Sequence, residues 1–429
     1  MYKENAIQAD NPYVFGNAVR GENFLNRQRE LHRLARRISQ GSSVVISGEP
    51  RSGKTSLLLH LQSHAQALLG EEQADRTLFH YLDGHTMSGW DADRFWQACL
   101  DPLAKRWEVA ARVYESGAFE ATPWETVFAA LEKEGQRFVL LLDEFDALQE
   151  EPGLHTRAVY GMLRSLASRY PSFSLVIAAR RSLTELEYAA KDFAAGSPYF
   201  NFTEEINLPP LPQTAVEALL DRAKDRFTSQ DRAFLQRVAG RHPYLLQVAA
   251  YYLWEWHEES QNAQERYQGA SDEFLAVVES TLADIWRSWT PYMQMAFTLV
   301  ALDNVPLLLG KRTFDLTALL NDLPDFSPEL RKLERRGFLL PDSNLASGYV
   351  VHAEVMLWYL VEELTRTLRK EDTLQAWLER QEWQGLLKRS EQQAFENIFR
   401  QIRSLFGEGA KAFIRAAAEG AAKGLTARI

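Results

Sequence analysis

The sequence predicts an α/β chain, a five-stranded parallel sheet followed by helical domains. Short, continuous apolar runs rich in β-branched residues recur through the first half of the chain, each followed by a loop and a stretch of helical periodicity. Length supplies a further observation: 429 residues exceed what one hydrophobic core serves, so roughly two to four compact units are expected.

The first strand is Ser43-Val44-Val45-Ile46-Ser47. The next are Leu78 to Leu82, preceding Asp83, and Phe138 to Leu142, ended by Asp143-Glu144-Phe145-Asp146. Ser174 to Ala179 and a short run near Ile206 to Leu208 complete five. Strands buried on both faces read as unbroken apolar runs, and a parallel sheet delivers polar residues at its carboxyl edge.

Composition sets limits on function. Hydrophobic residues make up 46 % and charged residues 25 % of the chain, the balance of a globular protein. The single cysteine, Cys99, excludes an internal disulfide and a multi-cysteine zinc site, and suits a reducing compartment. MYKENAIQAD carries no apolar leader core, and no apolar run approaches the roughly 18 residues of a membrane span, so a cytoplasmic protein without a span is expected. A formal net charge of −10 argues against a whole-molecule field for nucleic acid but leaves room for a local basic face.

The chemistry begins where the first strand ends. Gly48-Glu49-Pro50-Arg51-Ser52-Gly53-Lys54-Thr55, followed by Ser56, has the spacing of a phosphate-binding loop. Its glycines let successive N–H groups turn toward phosphate oxygens, and the helix beyond adds its positive end. Lys54 supplies charge for the β and γ phosphates, and the Thr55 hydroxyl is a ligand for Mg²⁺. The competing reading, a plain Gly-rich turn, is disfavoured by the strand before it and the helix after it. Asp143 reads as a second Mg²⁺ partner and Glu144 as the group that polarises an attacking water. Alone, that run would equally suit a strand followed by an acidic turn. Arg180, with Arg181, ends another strand at the same edge, where an arginine can sense the γ phosphate; a solvated basic turn is the alternative. ATP or ADP with Mg²⁺ is therefore the expected ligand set.

These ordered motifs resemble the signal-transduction ATPases with numerous domains, the STAND class of AAA+-like P-loop ATPases, including archaeal-ATPase-like members related to NACHT and NB-ARC proteins. The resemblance covers about Asn11 to Leu364. Asn11-Pro12-Tyr13 and Phe24-Leu25-Asn26-Arg27-Gln28-Arg29-Glu30-Leu31 look like the family motif that packs beside adenine, with Asn26 where Gly is usual and Gln28 where Glu is usual. Read from periodicity alone, the same stretch starts a helix that buries Leu31, Leu34 and Ile38. Ala239-Gly240-Arg241-His242-Pro243 looks like the lid motif whose proline, here Pro243, lies against the nucleotide. From about Trp289 to Leu364 the pattern reads as a winged helix, with Leu319, Leu323 and Leu333 at helical spacing. In NB-ARC relatives a histidine at the place of His352 contacts the ADP β phosphate.

The resulting organisation is an N-terminal arm over 1–20, a P-loop core over 21–207, a helical lid over 208–270, a winged helix over 271–366 and a C-terminal helical segment over 367–429. In that last segment Phe395, Ile398, Phe399, Ile402, Leu405 and Phe406 form one apolar helix face. The basic tail from Gly407 onward reads chiefly as a helix packed on its own domain, with docking to a partner or membrane surface as the alternative.

The leading functional expectation is a slowly hydrolysing nucleotide switch, closed with ADP and self-associating with ATP, relaying a signal to a protein effector or sensor partner. A second is a DNA-handling AAA+-like ATPase whose winged helix meets duplex DNA through Arg331, Lys332, Arg335 and Arg336, although Glu329 and Glu334 between them suit a solvated face. A third, a small-molecule P-loop kinase, has no evident substrate lid. Arg157, Arg164 and Arg169, expected on the helix after the Asp143 strand, are candidates for an arginine supplied to a neighbouring subunit.

Overall fold

The structure, a computed structural model, describes residues 10–117, 119, 121–191, 199–309, 326–369 and 410–423, with single positions between 379 and 393. The chain divides into two compact units, one of Ala18–Leu208 and the other of the residues before and after it.

Five strands build the first unit: β1 (Ser43–Ser47), β2 (Thr77–Asp83), β3 (Arg137–Asp143), β4 (Phe173–Ala179) and β5 (Thr203–Asn207). They form one parallel sheet in the order β2-β3-β4-β1-β5. The apolar runs become strands because the sheet is covered on both sides. On β3, Phe138, Leu140 and Leu142 join a core with Phe95, Trp124 and Phe128. Val139 and Leu141 face the opposite way, into a core with Leu34, Leu57 and Leu61. Alternation across the pleat thus feeds two apolar layers from one strand.

Register sets the site. Asp83 lies opposite Asp143 and Ser47 opposite Ala179, so β1 to β4 all end at one edge. Helix Gln28–Ser39 buries Leu31, Leu34 and Ile38, as its periodicity requires. A six-residue helix, Phe145–Glu150, follows β3 directly. Arg157, Arg164 and Arg169 therefore sit on the second helix after that strand, Arg157–Arg169, a correction to their expected place. Arg169 pairs with Glu125 at 2.7 Å, and Arg164 lies over the Tyr199 ring.

The second unit is mainly helical. Helices Gln213–Leu220, Ser229–Ala239 and Pro243–Glu259 are followed by a 26-residue helix, Ala263–Ser288. The boundary expected at residue 270 falls inside that last helix, where apolar positions such as Tyr267, Phe274, Val278 and Leu282 continue without interruption. Next come helix Pro291–Leu309, helix Ser327–Arg335, an antiparallel hairpin of β6 (Leu339–Pro341) with β7 (Tyr349–Val351), and helix Glu354–Arg369. Asn304 fixes the hairpin to its helix, donating to the Tyr349 carbonyl at 3.1 Å and accepting from the Val351 N–H at 2.9 Å. Leu319 and Leu323, like the apolar face over 395–406, lie outside the described residues.

Two terminal segments belong to this unit. Asn11 donates to the Tyr251 carbonyl at 3.2 Å and to Glu255 at 2.6 Å. Tyr13 is fully buried, stacks on Phe227 and donates to the Leu220 carbonyl. The expected arm over 1–20 is thus split, with residues 10–17 on the helical unit and 18–20 on the sheet unit. Helix Ala410–Ala422 buries Phe413, Ile414 and Ala418 and takes an Arg237 hydrogen bond on the Ala417 carbonyl at 2.7 Å, so it packs on its own unit. Among the described residues no helix is long and apolar enough to cross a membrane.

Gly41 joins helix Gln28–Ser39 to β1 at φ +69°, and a Cβ there would lie 2.6 Å from the Pro171 carbonyl oxygen. Both the backbone conformation and the space require glycine. Gly41→Ala is expected to cost about 1–3 kcal/mol of stability, read as a lower urea midpoint for the sheet unit. An unchanged midpoint would mean that this joint is not packed as described.

Candidate functional site

The loop Gly48–Ser52 leaves β1 and enters helix Lys54–Ser63 through Gly53 at φ +98°. Gly48 has no room for a side chain: a Cβ would meet the Ser52 hydroxyl at 2.9 Å and the Leu208 side chain at 3.2 Å. Arg51 also takes a positive φ, 60°, while the Ser52 N–H closes a turn on the Glu49 carbonyl at 3.1 Å. The Lys54 ammonium donates to the carbonyls of Gly48 and Glu49, each at 3.0 Å. It is 5 % exposed. Burial pulls its pKa down, and the carboxylates of Glu144, Asp146, Asp143 and Glu49 oppose that shift. Thr55 is half-buried on the first turn, Pro50 is buried, and the Ser56 hydroxyl accepts from the Val19 N–H.

Asp143 ends β3 with 2 % exposure. One carboxylate oxygen accepts the Tyr81 hydroxyl at 2.8 Å and the other accepts the Glu144 N–H at 2.9 Å. The Tyr81 hydroxyl is held protonated, first by burial and then by the Asp143 charge. Glu144 occupies the left-handed region at φ 46°, an uncommon place for a non-glycine residue and one that cores impose mainly at functional sites. Its carboxylate lies 3.3 Å from Arg180 and 3.7 Å from His85. Asp146 accepts the Arg180 N–H at 2.6 Å and lies 3.7 Å from the Arg181 guanidinium, which also donates to Gln149 at 3.2 Å.

The structure therefore brings together Gly48 to Ser56, Asp143, Glu144 and Arg180. It adds Tyr81, His85 and Asp146, to which the sequence alone assigned no role. A strand tyrosine and a histidine just past Asp83 carry no motif; only the opposition of Asp83 to Asp143 puts them here. Arg27, from the Phe24 to Leu31 motif, lies beside the loop as well. It is 5 % exposed, and its guanidinium donates to the Ser52 carbonyl at 3.3 Å, behind the phosphate loop. Asn26 and Arg27 both have positive φ, 59° and 84°. That conformation is the physical reason a glycine suits position 26, and Asn tolerates it better than most residues.

The residues fit a nucleotide with Mg²⁺: a glycine cradle closed to side chains, a buried ammonium, a helix amino terminus, and a hydroxyl and carboxylate as metal ligands. A family model described as an AAA-like domain matches residues 17–271, more than half of the chain. The chain belongs to this AAA-like domain family. Among solved structures, this AAA-like protein is similar to a Walker-type ATPase of Pyrococcus abyssi, at 14 % identity over 81 % of this chain and 99 % of that one, with a TM-score of 0.51. It is also similar to a STAND protein with a tetratricopeptide repeat sensor from Pyrococcus horikoshii, at 16 % identity over 92 % of this chain and 55 % of that one, with a TM-score of 0.37. The ORC1 protein of Aeropyrum pernix in complex with DNA matches at 16 % identity over 78 % of this chain and 91 % of that one, with the same TM-score of 0.37. The first similarity shows the fold alone, that of an α/β P-loop ATPase, and the other two decide nothing. No curated protein matches the chain in sequence.

Pro243 and His352 belong to the other unit of this AAA-like protein, where they are neighbours of one turn. Pro243 opens helix Pro243–Glu259, capped by His242. His352 donates its backbone N–H to the Phe338 carbonyl at 2.9 Å, and a Cβ on Gly240 would lie 3.4 Å from its ring. Its Nε2 is shut off from solvent with no hydrogen-bond partner among the described residues. Burial, and then the Arg241 charge, push its pKa down to about 4. A depressed folded-state pKa favours the neutral ring, so the stabilisation is complete above the unfolded value near 6.5 and fades as pH falls toward 4. The helical unit is expected to lose stability across that window, and His352→Gln to flatten the loss, in melts recorded from pH 7 to pH 4. Identical pH profiles for the two proteins would show that the ring is not buried in neutral form.

Proposed function

We propose that this AAA-like protein binds ATP with Mg²⁺ and hydrolyses it slowly, as a switch that is closed with ADP and self-associates with ATP. The observation that carries the proposal is the ion pair between Glu144 and Arg180 at 3.3 Å. In this arrangement the carboxylate best placed to polarise water is held by the arginine best placed to meet a γ phosphate. A γ phosphate competes for Arg180, and the competition frees Glu144. ADP, which lacks that group, leaves the pair intact.

Thr55 and Asp143 would hold the metal ion, which when bound neutralises phosphate charge. Lys54 and the loop N–H groups bind the β and γ phosphates, Glu144 orients the attacking water, and Arg180 discriminates ATP from ADP. Pro243 and His352 are proposed contacts of the lid and of the β phosphate in the closed state. A ligand shifts a two-state equilibrium only through differential affinity, and here the γ phosphate supplies it. The relayed signal would pass to a separate protein effector or sensor.

One observation favours a second reading, a DNA-handling ATPase. Arg331, Lys332 and Arg335 are exposed on helix Ser327–Arg335, beside a two-stranded hairpin in the order a winged helix requires. Basic side chains so placed can meet duplex phosphates.

The test follows the mass of the purified protein in solution with ADP, with ATP and with Lys54→Ala, each with and without duplex DNA. The switch reading expects a monomer with ADP that assembles with ATP, no assembly by Lys54→Ala, and indifference to DNA. Assembly or turnover that appears only with DNA, and that weakens steeply with salt, would replace it with the second reading.

A further inference from the structure

We infer that Glu205 is a positioning residue that ties the base of the phosphate loop to the turn carrying Arg180 and Arg181. The inference rests on the ATP-binding reading above and adds a residue that no motif marks. Glu205 lies on β5, opposite Val45 of β1. One of its carboxylate oxygens, Oε1, accepts the Ser47 hydroxyl and also the Leu183 N–H at 3.2 Å. Ser47 is 1 % exposed and immediately precedes Gly48. A second donor, Asn207, fixes the same hydroxyl at 3.1 Å. Leu183 opens helix Leu183–Ala189, directly after Arg180, Arg181 and Ser182.

The arginine turn is thus gripped at two points. Asp146 accepts the Arg180 N–H at 2.6 Å, which anchors the start of the turn to the Asp143 side. Glu205 anchors its end to the phosphate-loop side. The Ser182 and Glu185 side chains close a capping box around the helix start, so the turn has little freedom between the two anchors. Hydrogen bonds to an ionised acceptor are the stronger kind, and loss of this one takes the acceptor from the Ser47 hydroxyl hydrogen and from the Leu183 N–H. The consequence falls on Arg180, whose distance from the phosphate loop depends on the Glu205 bridge. An acid on the outermost strand β5 would ordinarily serve only to keep that edge solvated; two inward donors give it a second task.

The experiment compares the full-length protein with Glu205→Ala, Glu205→Gln and Ser47→Ala. ATP and ADP affinities are measured by titration with Mg²⁺, single-turnover hydrolysis at saturating ATP, and melting temperature. Glu205→Ala is expected to slow hydrolysis about tenfold, the scale of a modest misplacement of a reacting group, while ADP affinity stays within about twofold. Glu205→Gln keeps an acceptor for both donors and is expected to recover most of the rate. Ser47→Ala breaks only the phosphate-loop end and is expected to fall between them. Hydrolysis by Glu205→Ala at the wild-type rate would overturn the inference. So would equal weakening of ADP and ATP binding with no recovery in Glu205→Gln, which would mark a purely structural staple. If Glu205→Ala fails to fold, Ser47→Ala decides, and an unchanged hydrolysis rate there overturns the inference. Failure of the wild type to bind either nucleotide would overturn the ATP-binding reading itself, before any variant is compared.

Discussion

The Lys54 ammonium is the charge around which the sheet unit is organised. An isolated buried ammonium is costly, and it is kept only where carbonyls and carboxylates surround it. Gly48 and Glu49 supply the carbonyls through a loop that must fold back over the lysine. Glu144, Asp146, Asp143 and Glu49 supply the opposing charge. The carboxylates reach that place only because β3 and β1 end at the same edge, with β4 between them in the sheet. Sheet order, strand length and loop conformation therefore answer to one electrostatic requirement.

Much of this was readable from residues in order. Four apolar runs became β1 to β4, whereas β5, Thr203–Asn207, is a mostly polar edge strand that the expected run met only at Ile206 and Asn207. The phosphate loop and the Asp143-Glu144 pair announced themselves because their chemistry is local: neighbouring residues on one turn. Tyr81, His85 and Asp146 were not readable, since each acts through a partner on another strand or helix, and only register brings them together. Arg27 stood in the Phe24 to Leu31 motif, but its bond to the Ser52 carbonyl spans a sequence distance that no motif covers. Helix Ala263–Ser288 carries its apolar stripe straight across residue 270, where a domain boundary is expected.

The restraint on Glu144 connects geometry to the proposed switching role. A carboxylate in the left-handed region, paired with Arg180 and close to His85, is held in one orientation by elements from three different strands. Strain at such a residue persists only where the surroundings over-determine it. Here they include Gly84, whose missing side chain leaves room for the Glu144 carbonyl; a Cβ there would approach to 2.4 Å. A competitor for Arg180 would release the Glu144 carboxylate, the group proposed to polarise water. In the helical unit, burial, and then the Arg241 charge, lower the pKa of His352 to about 4.

The most direct test of the central claim is a comparison of wild type with Glu144→Gln in paired ATP titration and single-turnover hydrolysis. If Glu144 polarises the attacking water and Lys54 with the glycine loop holds the phosphates, the variant binds ATP at least as tightly and hydrolyses it about 100-fold more slowly. Hydrolysis by Glu144→Gln at the wild-type rate, with binding intact, would contradict the account and remove Glu144 from the chemistry.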